Sequence, residues 1–119
     1  MSGSEGLKDK IVNVLKSVYD PEIPVNVWDL GLIYDIKVSD EGDVNIKMTL
    51  TAPGCPLAWM IVDFVKAAVK SIKEVKDVNV ELVWDPPWTP LRMTPEGREQ
   101  FKKAYGYDIV EQYLKYEGR

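Results

Sequence analysis

At 119 residues, 45% of them apolar, the chain suits one domain with one modest core and is too apolar for disorder. A formal charge of −4 and a pI near 4.8 exclude the basic face that nucleic acid requires, and no apolar run approaches the roughly 20 residues of a membrane span. The single cysteine cannot close an internal disulfide, and the absence of histidine excludes Ser-His-Asp and Cys-His nucleophiles, histidine metal ligands and a closed structural zinc site.

In chain order, Met1 to Gly6 has neither a basic nor an apolar leader segment, which together with the lone thiol predicts a cytoplasmic protein. Leu7, Ile11, Val14, Leu15 and Val18 recur at helical spacing and predict a first amphipathic helix, with Ser4 as its N-cap. Asp20-Pro21-Glu22-Ile23-Pro24 stops it. Gly31, in Val27-Trp28-Asp29-Leu30-Gly31-Leu32, is a candidate for a backbone conformation other residues avoid, and Asp29 either caps backbone N–H groups or faces the cysteine loop. A strand is predicted over 32–38, a turn at Asp40-Glu41-Gly42-Asp43, and a second strand with Val44, Ile46, Met48 and Leu50 inward and Asn45, Lys47, Thr49 and Thr51 outward. The pair reads as a β-hairpin.

A second helix follows Cys55, with Pro56 as its first residue and Leu57, Met60, Ile61, Phe64, Val65, Ala68, Val69 and Ile72 as its core stripe. A third strand is expected over about 77–84, with Val78, Val80, Leu82 and Trp84 on one side. Asp85-Pro86-Pro87-Trp88-Thr89-Pro90 ends it, and Thr94-Pro95-Glu96 has the composition of a helix start. Short helical or irregular pieces carry the chain to Arg119. One domain over 1–119 is expected, with a core of about 5–100 and a C-terminal extension of about 101–119. The pattern predicts a small mixed or antiparallel three-stranded sheet with helices on one face, Tyr34, Ile36 and Val38 forming the inward row of the first strand. It leaves the central strand open.

The chemistry concentrates at Cys55. A cysteine at a helix N-cap sits against unpaired N–H groups and the positive end of the dipole, which favour the thiolate that attacks electrophiles and binds metal. The alternative is a small buried hydrophobe. Trp59, four residues on, points away from the core stripe and can share a helix face with Cys55; it is either a contact surface or covered by the C-terminal segment. Asp20 and Glu22 could place carboxylates near the thiol or simply solvate a turn. Trp84 and Trp88 flank a stiff proline segment that either docks a partner or packs over the sheet end.

Asp20-Pro21-Glu22-Ile23-Pro24, Asp29-Leu30-Gly31-Leu32-Ile33-Tyr34, Met48-Thr49-Leu50-Thr51-Ala52-Pro53-Gly54-Cys55-Pro56, Trp84-Asp85-Pro86-Pro87-Trp88 and Met93-Thr94-Pro95-Glu96-Gly97-Arg98 occur in that order. This ordered set resembles the SufT/PaaD-type iron–sulfur assembly family over about residues 5–100. The resemblance implies an α/β (α+β) two-layer sandwich with a helix-strand-strand-helix-strand core and a C-terminal helical segment, related to the cluster-assembly domain of NifU-like scaffolds. It also implies an accessory part in maturing metal–sulfur proteins, with Cys55 as the reactive cysteine. Asp20, Glu22, Asp29, Thr51, Pro53 and Gly54 then fall around the same pocket, and Trp59, Trp84 and Trp88 are candidates for the partner surface.

Clusters are generally held by four ligands, so one thiol cannot hold one durably within a monomer. Three readings stay open. A carrier would bind iron or a cluster transiently, completed by a homodimer, by carboxylates or by a client. An adaptor would contact scaffold, carrier or client apoproteins without metal, and a thiol relay would make the chain an enzyme.

Overall fold

The computed structural model describes residues 3–20, 23–51 and 56–117. The order is α1 (Gly3–Leu15), β1 (Ile33–Val38), β2 (Asp43–Met48), α2 (Pro56–Lys70), β3 (Asp77–Leu82), a 3₁₀ turn (Pro90–Arg92), α3 (Pro95–Tyr105) and α4 (Ile109–Glu117). The helix-strand-strand-helix-strand order and the helical C-terminal segment are as expected. Ser4 lies inside α1 and so does not cap it.

β2 is the central strand, antiparallel to β1 and parallel to β3, so the sheet is mixed. The β1–β2 pair is the predicted hairpin, closed by the turn at 39–42. A parallel neighbour needs a crossover, and α2 provides it. β2 has sheet on both sides and alternates fully between exposed and buried, Val44, Ile46 and Met48 being at most 1% exposed. β3 alternates in the same way, but its inward row is only half buried because it is an edge strand. β3 stops at Leu82, although Val83 still donates its N–H to Met48 O at 2.9 Å.

Four facing assignments are corrected. The β1–β2 register shifts between Ile33 and Asp35, and this bulge brings Ile33 opposite Met48 and removes Tyr34 from the inward row. Ile61, Val65 and Val69 of α2 and Ile72 just beyond it are buried, but Met60 and Phe64 are 45% and 47% exposed. Taking 100° per residue, Phe64 sits about 95° and Met60 about 135° from the middle of the buried row, outside a stripe of about 100°. Thr49, expected outward, is fully buried, one residue past the end of β2 where the strand alternation no longer holds.

The core joins Ile11 and Leu15 of α1, the β2 row, the buried row of α2, and Val25, Val27, Leu30 and Leu32 from the segment before β1. α1 packs on α2 and β1, and α2 on β3.

Candidate functional site

Cys55, Glu22, Pro53 and Gly54 lie outside the described residues. The flanking elements fix the frame of the site. β2 delivers the chain to Leu50, which is buried, and Thr51, which is half buried. α2 begins at Pro56, the residue after Cys55 in sequence, and has no acidic residue in its first turn. No carboxylate on that turn therefore offsets the partial positive charge of the helix start.

Asp20 and Asp29 are both buried, and each organises backbone. Asp20 Oδ1 accepts the N–H of Ile23 at 2.9 Å, a local bond typical of aspartate. The chain then returns, Val27 donating its N–H to Val18 O at 2.8 Å. Asp29 is tied more extensively. Asn26 Nδ2 donates to its Oδ2 at 2.8 Å, and Thr94 Oγ1 donates to its Oδ1 at 2.7 Å. Its N–H donates to Asn26 Oδ1, and its carbonyl accepts the N–H of Thr94 at 2.9 Å. Thr94 is also the N-cap of α3, accepting the N–H of Gly97 at 3.0 Å. Asp29 thus joins the loop before β1 to the start of α3. The expected choice was between capping backbone N–H groups and facing the cysteine loop, whereas the Asp29 carboxylate accepts from the side chains of Asn26 and of Thr94, 65 residues away.

The three candidate tryptophans, Trp59, Trp84 and Trp88, separate into two places. Trp59 and Trp84, 49% and 41% exposed, meet edge to face with centroids 6.5 Å apart. Met60, next to Trp59 in sequence, is also exposed. Trp59 is partnered by Trp84, not by the C-terminal segment. Trp88 is half buried against the core, and its Nε1–H donates to Leu30 O at 2.6 Å, which pins the proline segment over the sheet end.

Two features escaped the sequence. Thr49 Oγ1 is buried with no hydrogen-bond partner among the described residues. A shallow groove of about 580 Å³ is lined by Gly31, Ile33, Tyr34, Pro86, Leu91 and Arg92. There the Arg92 guanidinium lies 4.6 Å from the centre of the Tyr34 ring, and Tyr34 Oη donates to Pro86 O at 2.8 Å. Burial pushes the Tyr34 hydroxyl above its ordinary pKa, while the Arg92 charge pulls it down. A Gly-Leu-Ile-Tyr run could not announce this groove, because its other wall comes from residues more than fifty positions later.

Among the described residues, no three His, Cys, Asp or Glu side chains converge as a metal site, and no helix is long and apolar enough to cross a membrane.

A family model described as iron–sulfur cluster assembly protein matches residues 8–82. The Fe-S protein maturation auxiliary factor YitW of Bacillus subtilis is 49% identical over 90 residues, 76% of this chain and 88% of that protein. The Fe-S protein maturation auxiliary factor SufT of Staphylococcus aureus is 46% identical over 77 residues, 65% of this chain and 88% of that one. A solved structure of a domain of unknown function from Bacillus anthracis superimposes with a TM-score of 0.75 at 37% identity, covering 86% of this chain and 93% of its own.

Proposed function

The chain belongs to the iron–sulfur cluster assembly protein family, and from that premise we propose that it is a carrier or adaptor whose one reactive group is the Cys55 thiol. Its role is accessory to the maturation of iron–sulfur proteins. The observation that carries the reading is the start of α2 at Pro56, directly after Cys55, with no acid in the first turn and an exposed Trp59–Trp84 pair one turn along. The helix start favours a thiolate, and the aromatic pair offers rigid apolar area for a protein partner.

Iron or a cluster is the cargo. One thiolate supplies one ligand of the usual four, so the remainder must come from a client, from carboxylates such as Glu22, or from Cys55 of a second copy. The tethering of Asp29 to Asn26 and Thr94, and of Asp20 to Ile23, favours exogenous ligands over these two acids. Such a site binds transiently, which suits a protein that passes metal on. The partners are scaffold, carrier or client apoproteins of the iron–sulfur pathway, the setting is the cytoplasm, and no chemical turnover is involved.

Anaerobic reconstitution of the full chain with iron and sulfide, read by absorbance and Mössbauer spectra, tests this. Wild type is expected to bind substoichiometric, labile iron, and Cys55→Ser none. Equal and negligible binding by both would overturn the carrier. The exposed aromatic pair favours a metal-free adaptor as the second reading: client capture from cell extract would then persist in Cys55→Ser and fall in Trp59→Ala. A thiol relay is ruled out if the pH midpoint of Cys55 alkylation matches that of a free thiol.

A further inference from the structure

β1 is an edge strand with an open outer side. Ser39 donates its N–H to Asp43 O at 2.9 Å, which sets the alternation of the ladder. Asp35 and Lys37 therefore bond inward to β2, while the N–H and C=O groups of Ile36 and Val38 face away from the sheet. No described backbone group bonds to them from outside it. A free edge of this kind is a template for another strand unless something guards it.

The side chains on the helix-free face of this edge are not a guard against a second copy. The register aligns Asp35 with Lys47 and Glu81, a row of alternating sign, and Lys37 with Asn45 and Asn79, a row that leaves a cation at the edge. Neither Asp35 nor Lys37 forms an ion pair with a described residue. We propose that this edge is a self-complementary docking surface, and that two copies of the chain join through it about a two-fold axis into one six-stranded sheet with the helices on one face.

The pairing is antiparallel and centred on Ile36, whose outward N–H and C=O bond to those of the partner's Ile36. Asp35 then lies opposite the partner's Lys37, and Lys37 opposite the partner's Asp35. Both cross-sheet rows become Glu81, Lys47, Asp35, Lys37, Asn45 and Asn79, with the change of subunit between Asp35 and Lys37. The same residues on the facing strand thus satisfy both charges twice. The other edge of the sheet behaves oppositely. The outward side chains of β3 are Asp77, Asn79 and Glu81, with no cation among them, so pairing β3 with itself about Asn79 opposes Asp77 to the partner's Glu81. The charges select one edge, one register and one partner, a second copy. This inference does not depend on what Cys55 binds.

Sedimentation equilibrium of the full chain over a wide concentration range is the test. Wild type shows a reversible monomer–dimer equilibrium. Lys37→Glu turns both inter-subunit pairs into like charges, as does Asp35→Lys, and each raises the dimer dissociation constant about tenfold or more. Asp35→Lys also sets a cation beside Lys47, so a thermal melt accompanies every variant. The decisive arm mixes the two single variants. In the mixed dimer one inter-subunit pair is the native Asp35 with Lys37, and the other joins the two substituted positions with their signs exchanged. Both pairs are again of opposite charge, so the mixture regains the wild-type constant within a few-fold although each variant alone associates about tenfold more weakly or worse. Wild type that stays monomeric overturns the proposal, as do single variants that dimerise like wild type, or a mixture that stays monomeric.

Discussion

Asp29, Asn26, Thr94 and Gly97 form a knot in which every hydrogen bond has a definite geometric reason. Both Asp29 carboxylate oxygens accept hydrogen bonds, and Thr94 uses its hydroxyl in both directions, donating to Asp29 and accepting from Gly97. Gly97 must be a glycine because a Cβ there would come within 2.5 Å of Asp29 O. Thr94→Ala removes the helix cap and leaves the buried carboxylate one donor short, and is expected to destabilise the protein by about 2–3 kcal/mol in urea unfolding. Thr94→Ser, which keeps the hydroxyl, should recover most of that. Gly31 is constrained more tightly, with φ at +80° and any Cβ 2.2 Å from Arg92 O. Gly31→Ala combines a left-handed backbone penalty with a backbone clash and should cost about 3 kcal/mol or more. A loss below about 1 kcal/mol would mean that the 90–94 segment does not lie against β1 as described. Asp29, Gly31 and Thr94 stand out in the sequence as turn or cap residues, yet their mutual contacts are invisible there. A cap announces itself by its neighbours in sequence, a tertiary hydrogen bond does not.

At the scale of elements, periodicity placed every helix and strand of the core in order but misjudged the width of the faces. α2 is apolar over more than its buried stripe, so Met60 and Phe64 count as core by composition while geometry leaves them outside. The excess lies on the exposed side of α2, and a surface helix that keeps such residues is suited to touch something. Ile61→Ala should therefore cost about 2–5 kcal/mol by opening a cavity, and Phe64→Ser less than about 0.5 kcal/mol, with Phe64→Ser lowering client capture instead. A large stability loss from Phe64→Ser would place that side chain in the core after all. In β1 the strict alternation failed for a different reason. A bulge changes the parity of the strand, and nothing in Ile33-Tyr34-Asp35 marks it, because the extra residue is stabilised by Pro86 and Arg92 from a distant loop. The strand-to-helix switch on which the Cys55 proposal rests was legible, with α2 starting at Pro56 as the local sequence predicts.

For the whole molecule, the lack of histidine makes the pH response unusually simple. No side chain has an ordinary pKa between about 5 and 8, so folding stability should be flat across that range apart from any Cys55 and α-amino contribution. The acid limb has an identifiable source in the C-terminal helices. Asp108 accepts from Arg98 Nη2 at 2.8 Å, and its other oxygen accepts the N–H of Val110 at the start of α4. These bonds, the Arg98 one foremost, hold its carboxyl below the usual carboxylate range. A depressed folded value means that the ionised form stabilises the fold. That contribution is complete above the unfolded value of about 3.9 and disappears as pH falls through the lower folded one. Asp108→Asn should thus be less stable than wild type from pH 5 to 8, and the gap should close below about pH 4 as the wild-type carboxyl takes up its proton. Urea titrations at half-unit intervals from pH 3 to 8 measure this directly. A gap that stays constant to pH 3 would show that Asp108 acts through shape and hydrogen bonding and not through its charge, and the acid limb would then have to come from carboxylates elsewhere in the fold.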